Sequence, residues 1–312
     1  MKRLIVLSLL ISHLGYGQKK KAIVILVDGI PHDVIEKVAT PNIDRISDEG
    51  AFAEAYVGGE KGGESESPTI SAVGYNSMLT GTWANKHNVW GNSIKKPNYS
   101  YPTFFKVARE QKPDLSLGIF STWEDNRTKL LGEGLEATGK LRLDVKFDGY
   151  ENDTLAFPHR SDRLFIKNID KYVTQKAVET IKAEAPDISW VYLEFTDDMG
   201  HKFGDSEQFY SAVTFTDSLI GEIYDATQSR TEEDWFFAVT TDHGRSADTG
   251  KNHGGQSDRE RKTWILTNQP KVNERFTNGL AIVDIFPSLL KYMDIDIPQS
   301  VEDNLDGQSF LK

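Results

Sequence analysis

The sequence predicts an α/β fold, with a single domain whose largely parallel central sheet is covered by helices on both faces. Short, continuously apolar and β-branched segments, such as residues 22–27 (A-I-V-I-L-V), are typical of strands buried on both faces. These segments alternate with amphipathic ones along the whole chain, as expected when helices connect the strands of a parallel sheet. No repeat, low-complexity tract or linker divides the chain, so we expect one domain.

The expected elements follow in order. Apolar segments predict strands at 22–27, 51–57, 115–121, 188–195, 235–241 and 263–266. Helical spacing predicts helices at 41–50, 72–79, 101–111, 161–185, 206–228 and 280–293. Gly50 closes the first helix, Pro186 follows the fourth, and Pro287 is compatible with a first turn if the last helix begins near Ile285. Residues 132–159 predict a loop with room for one short strand.

The first 17 residues have the pattern of a cleaved secretory signal. Lys2 and Arg3 precede an apolar run at 4–14, and Gly15 and Gly17 fit cleavage before residue 18. The run is too short to span a bilayer, although a retained anchor is the alternative. We therefore expect an exported protein, periplasmic or secreted, with residues 18–312 as its catalytic domain and no membrane span after cleavage.

The composition narrows the possible partners. Loss of Lys2 and Arg3 takes the net charge from −11 to −13, which argues against a nucleic-acid polymer and leaves a small anion held by metal possible. The chain has no cysteine, so disulfides cannot stabilise it and it needs a large core. With 38% hydrophobic and 27% charged residues, it has the composition of a globular domain.

A hydroxyl nucleophile is expected where a loop rich in glycine, glutamate and serine, residues 58–67, becomes a helix. Thr69 and Ser71 both lie at this junction. The N-terminus of a helix presents free N–H groups and a partial positive charge, which suit an anionic ester. By itself the pattern is more often that of an ordinary N-cap.

Carboxylates and imidazoles follow three of the predicted strands. Asp28, Asp197 and Asp242 each follow a strand end, where ligands bind in open α/β sheets. Three imidazoles come close after the last two of these, in His201, His243 and His253. Mixed carboxylate and imidazole ligands suit Zn²⁺, and six are enough for two ions. Taken singly, each has an alternative as a turn, cap or surface residue, and His32, His87 and His159 are interpreted as structural or surface groups.

Eight segments together carry a family resemblance. They are 27–29 (V-D-G), 71–81 (S-A-V-G-Y-N-S-M-L-T-G), 86–92 (K-H-N-V-W-G-N), 197–201 (D-D-M-G-H), 241–244 (T-D-H-G), 252–255 (N-H-G-G), 282–290 (I-V-D-I-F-P-S-L-L) and 305–310 (L-D-G-Q-S-F). In this order the chain resembles the alkaline phosphatase superfamily, and most closely its type I phosphodiesterase/nucleotide pyrophosphatase branch. The resemblance implies an alkaline-phosphatase-like domain.

The resemblance also implies roles for individual residues. One zinc ion would be held by Asp197, His201 and His253. The second would be held by Asp28, Asp242, His243 and the nucleophile, Ser71, which stands ten residues before Gly81. Asn92 would donate to a phosphoryl oxygen, and hydrolysis would pass through a phosphoserine. Divalent metals other than zinc remain possible.

The chain departs from the branch in ways that affect the expected substrate. Nucleotide pyrophosphatases usually have threonine where Ser71 stands, and F-P-N-H where this chain has A-V-G-Y, which weakens a nucleotide assignment. Ser71 also lacks the C/S-x-P-x-R context of sulfatases. Arg127, Arg245 and Lys251 are candidate cations for a monoester phosphate, with surface roles as the alternative. Trp90 and Trp123 are candidates for stacking on a substrate, with buried packing as the alternative.

The sequence therefore predicts an exported, zinc-dependent hydrolase of small phosphoric esters, with a phosphodiester preferred. The alternatives are a broad-specificity phosphomonoesterase, a phosphomutase and a non-catalytic metal-binding module. The sequence makes no prediction of the oligomeric state.

Overall fold

A seven-stranded sheet runs through the centre of the protein. The computed structural model describes residues 18–312, so the expected signal segment lies outside the described residues. The strands are β1 (Lys19–Val27), β2 (Ala51–Tyr56), β3 (Leu117–Ser121), β4 (Val145–Phe147), β5 (Ile188–Leu193), β6 (Glu233–Thr240) and β7 (Lys262–Thr267). Their order across the sheet is β2-β7-β6-β1-β5-β3-β4.

Six of the seven described strands run in the same direction, and β7 runs against them. Strand β1 lies in the middle, where Ala22 is in register with Ile188 of β5 on one side and Phe236 of β6 on the other. Strands β3 and β4 continue the parallel sheet, whereas β7 pairs antiparallel with both β6 and β2. The carboxyl ends of β1, β5 and β6 therefore meet at one edge of the sheet.

Helices cover both faces of the sheet. They are α1 (His32–Ile35), α2 (Pro41–Glu49), α3 (Ser71–Thr80), α4 (Ala84–His87), α5 (Phe104–Gln111), α6 (Leu164–Glu184), α7 (Phe195–Phe203), α8 (Glu207–Gln228), α9 (Asp258–Arg261), α10 (Glu274–Thr277), α11 (Ile285–Tyr292) and α12 (Gln299–Glu302). A π-helical turn at Asn126–Leu130 and 3-10 turns at Glu136–Thr138, Tyr150–Asn152 and Ile282–Asp284 lie between them.

Strand β1 contributes to two separate cores because its side chains alternate between the two faces. Ala22, Val24 and Leu26 pack with α3, α5 and α11 on one face. Ile23 and Ile25 pack with α2, α6 and α8 on the other. All five side chains are fully buried, which explains why β1 has no polar alternation in the sequence.

The structure confirms the predicted fold class and the single short strand, β4, allowed for in the segment 132–159, with differences in two other places. The predicted helix at 280–293 is a 3-10 turn followed by α11, and Pro287 lies in the first turn of α11, where a missing N–H breaks no helical bond. Asp197 lies beyond the end of β5, in the first turn of α7, a helix that the periodicity did not predict.

Between residues 18 and 312, no helix combines the length and the apolar character needed to cross a membrane.

Candidate active site

A cavity of about 240 Å³ opens at the carboxyl edge of the sheet, beside the N-terminus of α3. Three of its lining residues, Asp28, Asp197 and Ser71, were predicted as metal ligands or nucleophile, and Asn92 lines it too. The remaining lining residues are Tyr75, Trp123, Tyr192 and Glu194. Segments far apart in the sequence therefore meet in one place.

Asp28, Asp242 and His243 form a group that we call the buried group. Their ligand atoms lie within 4.8 Å of one another, and their side chains are at most 2% exposed. His243 Nε2 is 3.4 Å from Asp28 Oδ1, 3.2 Å from Asp242 Oδ2 and 3.4 Å from Ser71 Oγ. The predicted nucleophile thus faces the same point as these three side chains.

Asp197, His201 and His253 form a second group, which we call the open group. Their ligand atoms also lie within 4.8 Å of one another. His201 Nε2 is 3.2 Å from Asp197 Oδ2 and 3.0 Å from His253 Nε2. The His201 side chain is 47% exposed, so this group faces solvent. The rings of His253 and His243 stack at 3.7 Å, which brings the two groups side by side.

The hydrogen bonds of His243 suit a cation in the buried group. His243 Nδ1 lies 2.9 Å from the carbonyl oxygen of Gly244, and a carbonyl can only accept, so Nδ1 carries the proton. Burial lowers the pKa of His243 well below its ordinary value, so the ring is neutral and Nε2 presents a lone pair. Asp28 Oδ1 and Asp242 Oδ2, which face it, are buried oxygens without a hydrogen-bond donor among residues 18–312. Lone pairs that converge in this way fit a divalent metal.

The same argument applies to His253 in the open group. Its Nδ1 donates to the carbonyl oxygen of Thr69 at 2.9 Å, which leaves the lone pair of Nε2 directed at His201 and Asp197. The Thr69 hydroxyl donates to Gly255 and accepts from the N–H of Gly254. Thr69 therefore holds the loop that carries His253, and Ser71 is the hydroxyl that faces the metal-ligand groups.

Two tyrosines hold the other oxygen of Asp28. The hydroxyls of Tyr75 and Tyr192 both donate to Asp28 Oδ2, the latter at 2.7 Å. Because these bonds engage Oδ2, the carboxylate is oriented with Oδ1 towards His243. Tyr75 lies one helical turn after Ser71 on α3, and Tyr192 lies on β5 next to β1, so the fold brings both to Asp28.

Arg245 supports the open group from beneath. Its fully buried guanidinium pairs with the Asp197 carboxylate, and it donates to the carbonyl oxygens of Gly29 at 3.0 Å and Asp197 at 2.7 Å. Gly200 makes room for it, because an added Cβ there would lie 2.1 Å from Arg245 Cζ. The sequence made Arg245 a candidate cation for a phosphate, but its guanidinium instead bonds to Asp197 and to backbone carbonyls.

The carboxylates of the two groups have opposite pKa shifts. Burial raises the pKa of Asp28 to about 7, helped by the charge of Asp197. Burial and the charges of Asp28 and Asp197 raise the pKa of Asp242 well above its usual range. Burial also acts on Asp197, but the hydrogen bond from His201 and the charge of Arg245 outweigh it and lower the pKa. The protein therefore supplies positive charge to the open group and little to the buried group.

Asn92 and the helix terminus differ in part from the sequence expectation. The side-chain carbonyl of Asn92 accepts from the N–H of Ala72 at 3.0 Å, so its amide NH₂ is left to face the cavity. The N–H groups of Val73 and Gly74 both donate to Ile70. Three of the first four N–H groups of α3 thus have acceptors, and the expectation that they would bind an anion directly is wrong for those three.

The other residues singled out in the sequence lie elsewhere or have structural contacts. Arg127 pairs with Asp148, Glu133 and Glu124, and Lys251 is exposed. Trp90 is 45% exposed, so it is not the buried packing residue of the sequence interpretation, whereas Trp123 lines the cavity. His87 is buried, contacts Ser77 Oγ and accepts from the N–H of Val89, and so ties the loop before Asn92 to α3.

Four residues that line the cavity or support it were not predicted from the sequence: Tyr75, Tyr192, Glu194 and Asp170. Asp170, on α6, accepts from the N–H groups of Glu194 and Phe195 and so fixes the start of α7, which carries Asp197 and His201. Only Tyr75 had a signal in the sequence, since it lies one helical turn from Ser71. The others depend on how β5 and α6 pack.

A family model described as type I phosphodiesterase / nucleotide pyrophosphatase matches residues 22–270. The match covers six of the eight segments that carry the resemblance in the sequence, from V-D-G at 27–29 to N-H-G-G at 252–255. All of the proposed metal ligands lie within it.

Known proteins match shorter parts of the chain. A 2,3-bisphosphoglycerate-independent phosphoglycerate mutase from Natronomonas pharaonis is 26% identical over 144 residues, which are 45% of this chain and 27% of the mutase. A calmodulin-sensitive adenylate cyclase from Bacillus anthracis is 32% identical over 77 residues, 25% of this chain and 10% of the cyclase. The matches thus span about a quarter of the mutase and about a tenth of the cyclase.

Among solved structures, murine ectonucleotide pyrophosphatase / phosphodiesterase 5 superposes with a TM-score of 0.64. The superposition covers 92% of this chain and 100% of the murine chain at 14% sequence identity. Similarity at this level of identity establishes a shared fold.

Proposed function

The chain belongs to the type I phosphodiesterase / nucleotide pyrophosphatase family, and on this premise we propose that it is an exported, metal-dependent phosphodiesterase with Ser71 as its nucleophile. The family description names hydrolases of phosphoric ester bonds, the enzyme class that the sequence predicts. The observation that carries the proposal is the position of Ser71 Oγ, 3.4 Å from Nε2 of a neutral His243. Asp28 Oδ1 and Asp242 Oδ2 face the same nitrogen, and both are buried oxygens without a donor in the described part of the chain.

Two zinc ions, or other divalent cations, would be held by the buried group together with Ser71 and by the open group. Bound there, they would make the serine hydroxyl more acidic and neutralise charge on the phosphoryl oxygens. Their fit rests on the donor chemistry described above, with mixed carboxylate and neutral imidazole ligands converging on two points.

Ser71 carries the covalent chemistry. A bond forms between Ser71 Oγ and phosphorus as the bond from phosphorus to the leaving alcohol breaks, which yields a phosphoserine and the alcohol. Water then attacks phosphorus and releases the Ser71 oxygen, so that each turnover consumes one water. The NH₂ group of Asn92 faces the cavity and would donate to a phosphoryl oxygen, which gains negative charge in the transition state.

The charge of the cavity favours a diester over a monoester. Asp28, Glu194 and Asp197 line it, and among residues 18–312 no lysine or arginine does. A monoester carries one more negative charge on phosphorus than a diester and needs additional cations to bind. The candidates for that role in the sequence, Arg127 and Arg245, pair with carboxylates instead.

The test compares bis-p-nitrophenyl phosphate with p-nitrophenyl phosphate on the zinc-loaded protein. We expect the diester to be hydrolysed with the larger kcat/KM, and Ser71→Ala to abolish turnover while zinc content falls by less than one equivalent. A large preference for the monoester would favour a phosphomonoesterase. Full turnover by Ser71→Ala would contradict the proposed nucleophile.

A phosphomutase is the second candidate, because a segment of the chain is similar to a phosphoglycerate mutase. Analysis of products from a phosphorylated hydroxy acid separates the two. A mutase isomerises the substrate without free phosphate, whereas we expect no isomer. Export is tested by sequencing the N-terminus of protein recovered from outside the cytoplasm, where we expect residue 18 to come first.

A further inference from the structure

A second cavity, of about 320 Å³, lies in the loop between α4 and α5. We call it the loop pocket, and it shares no lining residue with the cavity at Ser71. Trp90 lies in it and is 45% exposed, although a ring of this size is usually buried for the most part. The full lining consists of Asn88, Trp90, Gly91, Ser93, Lys95 and Lys96. None of these side chains takes part in the proposed hydrolysis.

Hydrogen bonds fix the shape of the loop pocket. Asn88 Oδ1 accepts from the indole N–H of Trp90 at 3.1 Å, and Asn88 Nδ2 donates to the carbonyl oxygen of Lys96 at 2.8 Å. One side chain thus holds the ring in place relative to the backbone of the lysines. Ile94, between them, is buried and has a φ of 43°, a strained conformation for a β-branched residue. The pocket is therefore preformed, and the ring loses little conformational entropy when a ligand binds.

The loop pocket is basic on a chain that is acidic overall. Residues 67–109 contain no aspartate or glutamate, whereas the whole chain has 47 of them and a net charge of −11. Lys95 and Lys96 are exposed, and in the described part of the chain no carboxylate lines the pocket with them. Lys86, by contrast, pairs with Asp306 at 2.6 Å. The two pocket lysines therefore attract an anion on a surface that otherwise repels it.

We propose that the loop pocket binds an acidic oligosaccharide, with one sugar ring on Trp90 and its carboxylate or sulfate groups at Lys95 and Lys96. The faces of a sugar ring carry C–H groups, so they cover an exposed indole and exclude water from it. Ammonium groups form charge-assisted hydrogen bonds with anionic oxygens. Two lysines, rather than one, fit a glycan that carries an anion on each unit. The site is separate from the proposed hydrolysis and does not depend on it.

Other ligands use fewer of these features. A neutral sugar covers the ring of Trp90 but leaves both lysines without an anion. A mononucleotide stacks its base on a single ring and brings one phosphate to two lysines. A membrane surface is flat, whereas the pocket is concave and Asn88 holds its ring in place. Ligands that differ in charge or in shape therefore test the proposal.

The experiment measures binding by calorimetry on the zinc-loaded protein at low ionic strength. Trigalacturonic acid is compared with its trimethyl ester, which has the same sugar rings without their charges. We expect the acid to bind about threefold to tenfold more tightly, and the difference to shrink as salt is added. Galactotriose with one sulfate on each unit shows whether sulfate replaces carboxylate. If neither anionic ligand binds more tightly than the ester, the proposal is wrong.

Variants assign the binding to the loop pocket. Trp90→Ala should weaken the binding of acid and ester alike, by about threefold to tenfold. Lys95→Gln combined with Lys96→Gln should remove the preference for the acid and retain the binding of the ester. The matched control combines Lys171→Gln with Lys271→Gln, at exposed lysines elsewhere, and should change neither affinity. Binding of the acid that is unchanged in both pocket variants would place it at another site, such as the metal-ligand groups, and would overturn the proposal.

A local signal tests the wild-type protein without relying on the folding of a variant. The indole N–H of Trp90 gives a resonance in a proton–nitrogen correlation spectrum, and Trp90→Ala identifies it by its loss. We expect this resonance to shift as trigalacturonic acid is added and to saturate at the concentration that calorimetry gives. Saturation at a lower concentration of adenosine monophosphate, or a response to phosphatidylglycerol vesicles alone, would overturn the proposal. Hydrolysis enters none of these measurements, so a failure of the proposed function would leave their outcome unchanged.

Discussion

The buried group and the open group have the same kinds of side chain in different electrostatic surroundings. In the buried group, Asp28 and Asp242 have raised pKa values, and the donors to Asp28 Oδ2 are neutral tyrosine hydroxyls. In the open group, Asp197 has a lowered pKa because His201 and Arg245 face it. The exposed fraction is 0% for the His243 side chain and 47% for that of His201.

The difference predicts how strongly each group would depend on a bound metal. Arg245 offsets the charge of Asp197 whether or not a metal is bound. Asp28 and Asp242 have no such cation among residues 18–312, so a metal would be the counter-charge for two carboxylates that share a buried site. We therefore expect the buried group to dominate both catalysis and the response to metal removal.

The largest expected effect is the loss of activity in Asp242→Asn, which should exceed the loss in His201→Ala. Loss of a buried ligand that solvent cannot replace should lower kcat/KM more than about 100-fold. His201 is half exposed, so imidazole added to the buffer should restore part of the activity of His201→Ala, whereas acetate should not rescue Asp242→Asn. Equal losses of kcat/KM in the two variants, or rescue of Asp242→Asn alone, would contradict the expected difference between the buried group and the open group.

Tyr192→Phe should weaken metal binding at the buried group about 10- to 100-fold, because the hydroxyl that orients Asp28 is lost. A zinc titration against a competing chelator measures the effect, and one of two sites should weaken. Tyr99→Phe is the control, since it removes a tyrosine hydroxyl that donates to Lys129 away from the cavity. Unchanged affinity at both sites would show that Asp28 does not need this support.

Gly200→Ala should destabilise the protein by about 1–2 kcal/mol. The added Cβ would overlap the guanidinium of Arg245, and such overpacking costs about 1–3 kcal/mol against a gain of about 0.5–1 kcal/mol in helix propensity. Denaturant unfolding measures the change. Gly91→Ala, where an added Cβ has no neighbour within 4 Å, should change the free energy of unfolding much less. A stabilised Gly200→Ala protein would show that Arg245 moves freely.

The last prediction concerns pH. In the metal-free protein Asp28 has a pKa of about 7, raised from about 3.8, so its contribution to stability is present below about pH 4 and is lost as pH rises to about 7. As pH rises from 5 to 8, the melting temperature of the metal-free wild type should therefore fall relative to that of metal-free Asp28→Asn. No relative shift over this range would mean that Asp28 is already ionised when metal is absent.

The fold class followed from periodicity because buried parallel strands leave a local pattern. Residues 22–27 are apolar without alternation, and the central position of β1 between β5 and β6 explains why. Strand order and the antiparallel direction of β7 left no such pattern, since they depend on pairing between distant segments. The helix α7 was missed because its apolar side chains are interrupted by Asp197, which lines the cavity, and by Asp198, which pairs with Arg163.

By itself, the sequence determined the residue types at the site, because metal ligands and a nucleophile need particular functional groups in short motifs such as T-D-H-G at 241–244. Only the tertiary structure decided which partners surround them. Sheet register and helix packing bring Tyr192 and Glu194 to the cavity and Arg245 to Asp197, and no local pattern records them. The difference in charge between the two groups is a property of burial, and burial exists only once the distant segments have come together.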